Sequence, residues 1–191
     1  MKILRPTYAE IKLENITSNV ETIKSFVGKN VEVLAVIKAN AYGHGAVEVA
    51  KALEKTVVKI LGVATIEEGI ELRLAKIKKD ILILGSTYPF NNFSEITKYN
   101  LTPTIASISA LVSLDEHSKS KNKRVPFHLK IDTGMGRIGL SPDAAIPVIK
   151  KIVGMKNVRM DGVYSHLACA AENKNFTEKQ IRDFTRISCK T

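Results

Sequence analysis

Val31-Glu32-Val33-Leu34-Ala35-Val36-Ile37-Lys38-Ala39-Asn40-Ala41-Tyr42-Gly43-His44-Gly45 is an apolar run that ends in a single lysine and passes into a loop punctuated by glycine. The run is mostly Val, Leu, Ile and Ala, which predicts a strand over 31–37 buried on both faces, as in a parallel sheet. A helical pattern over 46–55 follows, so the stretch reads as one βα unit. An amine at the end of such a strand is partly desolvated, which makes Lys38 a candidate Schiff-base or proton-transfer group.

The same alternation repeats outward from this unit. Strand signals recur at 60–64, 81–84, 102–106, 126–131 and 158–165, with helical patterns at 66–76, 91–98, 108–118 and 142–153 between them. A last helix is expected to begin near Thr177 and to run through 176–188. Each strand leads into residues rich in Gly, Ser, Thr or Asn before the next helix returns the chain. The order fits a barrel or a doubly wound sheet. About six strands are visible, whereas a closed (β/α)8 TIM-type barrel has eight and about 250 residues, so the expectation is an incomplete barrel and a fragment of a longer protein. Upstream, 15–27 has helical periodicity that stops at Gly28, while the segment 7–13 alternates with period two and is expected to be a strand of another sheet.

Composition bounds the function classes. The chain has 191 residues, 45% of them hydrophobic and 25% charged, an ordinary globular balance with enough apolar surface for one core. Lys and Arg total 29 against 19 Asp and Glu, a net charge of +10. The cations are spread along the chain, and the clusters 76–79 and 119–124 lie where helices should end and where cations favour the helix dipole. No nucleic-acid partner is expected, since no recognised module or aromatic-interleaved basic stretch occurs. Cys169 and Cys189 have no metal-ligand spacing and are expected to be free thiols in a reducing cytosol. No metal is expected. The absence of a long apolar stretch argues against a membrane partner and for a cytoplasmic location.

Residues at the C-terminal ends of strands gain interest in a barrel, because the loops there form the reactive face. Lys38 follows the first barrel strand, Lys130 and Asp132 close the fifth, and His166 closes the sixth. On local sequence each has an ordinary alternative: a lysine that snorkels to solvent, a surface arginine at 137, or a satisfied core histidine. In the loop after Lys38, Tyr42 supplies a hydroxyl, Gly43 and Gly45 permit close approach of a phosphate or ring, and His44 is expected to be held by backbone hydrogen bonds. Gly134-Met135-Gly136-Arg137-Ile138-Gly139 satisfies G-x-G-x-x-G, so a dinucleotide-binding turn has to be weighed. Its glycines do not open a helix directly, and the downstream acid, Asp161, falls inside a strand.

Three segments carry a family resemblance. Ala35-Val36-Ile37-Lys38-Ala39-Asn40-Ala41-Tyr42-Gly43-His44-Gly45 closely resembles the pyridoxal-phosphate attachment signature of alanine racemases. Phe127-His128-Leu129-Lys130-Ile131-Asp132-Thr133-Gly134-Met135-Gly136-Arg137-Ile138-Gly139 and Gly162-Val163-Tyr164-Ser165-His166-Leu167-Ala168 resemble later segments of the same family, in the same order. The resemblance implies that Lys38 is the covalent attachment point for pyridoxal 5'-phosphate and one catalytic base. Tyr42 is implied to contact the cofactor phosphate and His166 to stand beside its ring. It also implies that a carboxylated Lys130 orients Arg137 near the substrate or the cofactor's phenolic oxygen. Ala171 stands where a common pattern of the family has an aspartate, a departure that bears on an acidic gate to the substrate channel and not on cofactor attachment.

The resemblance covers nearly the whole chain. It implies a partial pyridoxal-phosphate-binding barrel domain over 1–191, with 7–13 as a strand belonging to a C-terminal β domain outside these residues. The implied activity is the interconversion of L- and D-alanine for bacterial cell-wall synthesis, in a homodimer whose partner subunit supplies a second catalytic tyrosine. The 191 residues alone are expected to be weakly active or inactive. A non-catalytic pyridoxal-phosphate homeostasis barrel and a related serine racemase are the alternatives.

Overall fold

The computed structural model describes residues 7–189. Six parallel strands, β1 (Val33–Val36), β2 (Val58–Val63), β3 (Asp80–Ile83), β4 (Thr104–Ile105), β5 (Val125–Lys130) and β6 (Val158–Tyr164), stand side by side in chain order. The first three and the last three form parallel sheets, and the bridge between Leu82 and Thr102 joins them. Hydrogen bonds from Thr102 N–H to the Ile81 carbonyl and from Ile83 N–H to the Thr102 carbonyl, both 2.9 Å, close this seam. Sequential parallel order with a helix after each strand is the topology of a (β/α) barrel. The fold is therefore α/β, a partial barrel of six strands.

Four of the seven right-handed α-helices among the described residues begin at a side-chain cap. The seven are α1 (Leu13–Val27), α3 (Ala46–Leu53), α4 (Ile66–Leu74), α5 (Phe93–Lys98), α6 (Ile108–Ser120), α7 (Pro142–Val153) and α8 (Lys174–Ser188). Ser107, Ser141 and Asn173 each accept an N–H from the first turn of α6, α7 and α8, satisfying a donor that the helix itself leaves free. Thr65 and Glu68 form a reciprocal capping box at the start of α4. The helix-facing residues Phe127, Leu129, Ile81, Ile83 and Leu61 are fully buried, each contributing about 1.5–3 kcal/mol of apolar burial. The alternate residues of β5 turn the other way. Pro126 and His128 line a polar cavity of about 330 Å3 in the barrel interior.

The expectation for β1 needs correction. β1 is not buried on both faces: Val33, Leu34 and Ala35 are half-buried and Val36 is 39% exposed, because the strand pairs only with β2 and its other edge is open among the described residues. The segment 7–13, expected as a strand of a second domain's sheet, has no such sheet beside it among the described residues. Residues 7–12 carry no regular structure and Leu13 already belongs to α1, since a strand exists only where another strand receives its hydrogen bonds. The stretch 91–98 is a 3-10 turn at Phe90–Asn92 that leads into α5, and α8 starts three residues earlier than the pattern near Thr177 suggested.

Candidate active site

The chain leaves β1 at Ile37, whose N–H donates to the Gly62 carbonyl at 2.8 Å and so extends the sheet by one bond to the base of Lys38. The segment Lys38–Tyr42 (α2) then winds in the opposite sense to every other helix. Ala39, Asn40, Ala41 and Tyr42 all have φ of 52–53°. Left-handed backbone costs about 1–2 kcal/mol per residue bearing a Cβ, so four in succession require support from around them. Asn40 gives part of it: its side-chain oxygen accepts the Ala46 N–H at 2.8 Å, and its carbonyl accepts the Gly43 and Gly45 amides, both at 3.0 Å. His44 Nδ1 lies 2.9 Å from the Ala41 carbonyl, so this histidine is a structural tie of the turn. Glu68 gives the rest. Its carboxylate accepts the Ala39 N–H at 2.6 Å and the Ala64 N–H at 2.6 Å, joining the turn to the end of β2.

β5 ends in Lys130, which is 4% exposed, with its Nζ 4.3 Å from the centre of the Tyr164 ring. Burial, then the nearby Arg137 cation, pushes this amine down to about 8, against the pull of Asp132. The Tyr164 hydroxyl is 2.7 Å from Thr104 Oγ1, and burial raises its pKa against that hydrogen bond and the Arg137 cation. The loop after β5 folds around Asp132. Its Oδ1 accepts the Gly134 and Gly136 amides at 2.9 and 3.1 Å, and its Oδ2 accepts the Arg137 amide at 3.0 Å. Desolvation works to raise the Asp132 pKa, but these backbone donors, with Met135, hold it below the ordinary carboxylate value. The glycine-rich loop thus spends its amides on its own carboxylate. Helix α7 begins only at Pro142, and Asp161 lies within β6 paired with Arg159, so the dinucleotide-turn interpretation of Gly134–Gly139 does not hold.

β6 delivers His166, whose imidazole is held below its ordinary pKa first by desolvation and then by the cations of Lys130, Arg137 and Lys38. The cations of Lys38, Lys130 and Arg137 thus all bear on His166, and Arg137 also on Lys130, at the C-terminal mouth. Tyr42, at the end of the left-handed turn, is 60% exposed and its hydroxyl makes no hydrogen bond among the described residues. Three contributors were not assigned from sequence. Tyr164 floors Lys130, Glu68 holds the turn, and Gln180 of α8 is fully buried. Gln180 binds Thr133 Oγ1 and the His166 carbonyl, each at 3.1 Å, and accepts the Ala168 N–H at 2.9 Å. The capping-box spacing marks Glu68 as a helix-start residue, yet nothing local reveals its reach to Ala39.

The donor set decides what ligand fits. Lys38, Lys130 and Arg137 bring positive charge to the mouth, and Asp132, the carboxylate at the end of β5, is saturated by amides. Such a mouth suits an anionic ligand, and the Lys38 amine beside it suits a carbonyl carbon, so the residues fit an aldehyde that carries a phosphate. No group of three or more His, Cys, Asp or Glu side chains among the described residues could hold a metal ion. An apolar pocket of about 220 Å3 between α1, β1 and α3 contains none of Lys38, Lys130, Arg137 or His166 and is space within the helix layer. No helix among the described residues is long and apolar enough to cross a membrane.

Comparison with known proteins agrees with this geometry. The family model described as "Alanine racemase, N-terminal domain" matches residues 11–190. Alanine racemase 1 of Caldanaerobacter subterraneus subsp. tengcongensis is 45% identical over 186 residues, covering 96% of this chain and 48% of the relative. The solved alanine racemase of Clostridium difficile 630 superposes with a TM-score of 0.93 at 40% identity, over 99% of this chain and 50% of that one. A second structure of that enzyme, in complex with cycloserine, gives the same TM-score of 0.93 and covers 52% of that chain. The chain spans about half the length of the relatives it matches. By the match over residues 11–190, it belongs to the alanine racemase N-terminal domain family.

Proposed function

We propose that this chain carries the pyridoxal-phosphate half of an amino-acid racemase active site and that the whole protein interconverts L- and D-alanine. The observation that carries the proposal is the meeting of Lys38, Lys130, Arg137 and His166 at one barrel mouth. When bound, pyridoxal phosphate supplies an electron sink that stabilises the charge left by removal of the substrate's α-proton.

Lys38 is the attachment residue and, once its amine is released, the base that takes or returns the α-proton on one face of the substrate. Inversion requires a second proton donor on the opposite face, and the family assigns this to a tyrosine of the partner subunit, in the half of the protein outside these residues. The Arg137 guanidinium receives the substrate carboxylate or the cofactor's phenolic oxygen through paired N–H donors. A Lys130 amine with a pKa of about 8 has a neutral fraction near pH 7. That fraction can add to carbon dioxide, forming an N–C bond and losing a proton, to give a carbamate anion that pairs with Arg137. His166, depressed below its ordinary value, is largely neutral at pH 7 and stands beside the ring as an uncharged partner. Tyr42 offers its exposed hydroxyl to the phosphate. The segment 7–13 gains its sheet partner from the second domain, the protein works as a cytoplasmic homodimer, and its D-alanine supplies cell-wall peptidoglycan.

The test is to mix the purified chain with pyridoxal phosphate, record its absorption spectrum, and assay alanine and serine for loss of optical purity. A new near-visible band that Lys38→Ala abolishes is expected. Racemisation by the 191-residue chain is expected to be weak or absent, while a protein of the relatives' full length racemises alanine faster than serine. No band in the wild type, or an unchanged band in Lys38→Ala, defeats the attachment role. Faster turnover of serine defeats the substrate assignment.

A further inference from the structure

Glu68 lies on α4, outside all three segments that carry the family resemblance. Its carboxylate receives three main-chain amides: Ala39 at 2.6 Å on Oε1, and Ala64 at 2.6 Å and Thr65 at 3.3 Å on Oε2. A capping role needs only the Thr65 contact, and that is the longest of the three. The two short bonds go elsewhere, one to the end of β2 and one to the first amide of the left-handed turn. Ala39 N–H belongs to the peptide bond that leaves Lys38, so fixing that amide fixes the backbone from which the lysine side chain springs. The ties from Asn40 and His44 come from inside the same loop. Glu68 reaches it from a separate βα unit, 29 residues away in sequence, and with a carboxylate, which makes stronger hydrogen bonds than a neutral acceptor.

We propose that Glu68 is a positioning residue for Lys38: by clamping the Ala39 and Ala64 amides on one carboxylate, it fixes the left-handed turn and sets where the lysine amine stands in the mouth. The inference rests on Lys38 being the cofactor attachment residue. It assigns Glu68 no contact with substrate or cofactor, so its loss shows in the rate of capture and in the dynamics of the turn.

The experiment compares wild type, Glu68→Gln and Thr65→Ala in the same chain. Thr65→Ala removes the other half of the capping box and leaves the Ala39 bond in place. Capture of pyridoxal phosphate is followed by absorbance and located by borohydride trapping and peptide mapping. Exchange of the Ala39 amide proton is followed by NMR. Both variants lower Tm. Glu68→Gln is expected to slow capture at Lys38 and to speed Ala39 exchange by about ten-fold each, the size set by weakening one charge-assisted hydrogen bond. Thr65→Ala stays within about two-fold of wild type in both.

Capture and exchange that are unchanged in Glu68→Gln, or changed equally in Thr65→Ala, overturn the proposal. Should Glu68→Gln fail to fold by circular dichroism, Glu68→Asp, one methylene shorter, takes its place with the same expected losses. A wild type that captures nothing defeats the attachment role, and the exchange comparison still decides whether Glu68 holds the turn.

Discussion

The lysine turn and the arginine loop solve one problem in opposite ways. Each presents a cation on irregular backbone, and each is pinned by a carboxylate that accepts main-chain amides. Asp132 pins the arginine loop from within, reaching amides two, four and five residues ahead of itself. Its positive-φ positions, Gly134, Gly136 and Gly139, are glycines, so the loop adopts its shape at little conformational cost. The lysine turn places Ala, Asn, Ala and Tyr in left-handed backbone and depends on Glu68 from the next βα unit. A self-contained loop is specified by its own sequence; a strained one has to be held from elsewhere in the fold.

Filling the arginine loop should do the most damage. A Cβ at Gly139 would stand 2.7 Å from the Asp132 nitrogen and 2.9 Å from the Ile131 carbonyl carbon, both backbone atoms, at a φ of +131°. Gly139→Ala is expected to cost at least about 3 kcal/mol in urea denaturation, and a cost near zero would break the claim that this loop has one permitted shape. Asp132→Ala should cost about 2 kcal/mol by removing three hydrogen bonds to a charged acceptor. Because the folded pKa of Asp132 is depressed, its contribution is complete above the ordinary carboxylate value and is lost as pH falls below it. The stability difference between wild type and Asp132→Ala should therefore shrink in acid melts.

Lys130→Met comes next, with a gain of about 1.5 kcal/mol near pH 7 from removing a desolvated amine. The Lys130 amine titrates near 8 when folded and at its ordinary 10.5 when unfolded. The cost of burying its charge is full below 8 and relieved as pH rises to 10.5, so the variant's advantage should fade across that window. Stability curves that stay parallel would remove Lys130 as a strained group. The smallest effect is expected at the lysine turn: Ala39→Gly relieves one left-handed residue and should stabilise by about 1 kcal/mol in thermal melts. Loss of stability there would mean that the turn is not strained.

Most of the fold was legible from periodicity. The six apolar runs announce their strands and the helical patterns between them announce their helices, while the caps Thr65, Ser107 and Ser141 were not read from sequence. Lys38, Lys130 and His166 could be placed at one mouth because a strand's C-terminal end is a position that sequence can mark. The sense of the lysine turn could not be read, since Lys38-Ala39-Asn40-Ala41-Tyr42 has the composition of an ordinary right-handed helix start. Glu68 and Gln180 escaped for the same reason. Each looks like a surface residue of an amphipathic helix, and each bonds to loops far away along the chain. Segment 7–13 belongs to a different case: its alternation reads as a strand of a second domain's sheet, and a strand takes its shape only where a neighbouring strand receives its hydrogen bonds.

Sequence separation is also an order in time. A ribosome adds about 5–20 residues per second, so the Ala39 amide emerges a few seconds before the Glu68 carboxylate that will hold it, 29 residues later. During that interval the nascent segment has every reason to coil right-handed. The tie that holds its reversed hand becomes available only when a carboxylate arrives one βα unit later, so the turn cannot be held in this way until its neighbour has been made.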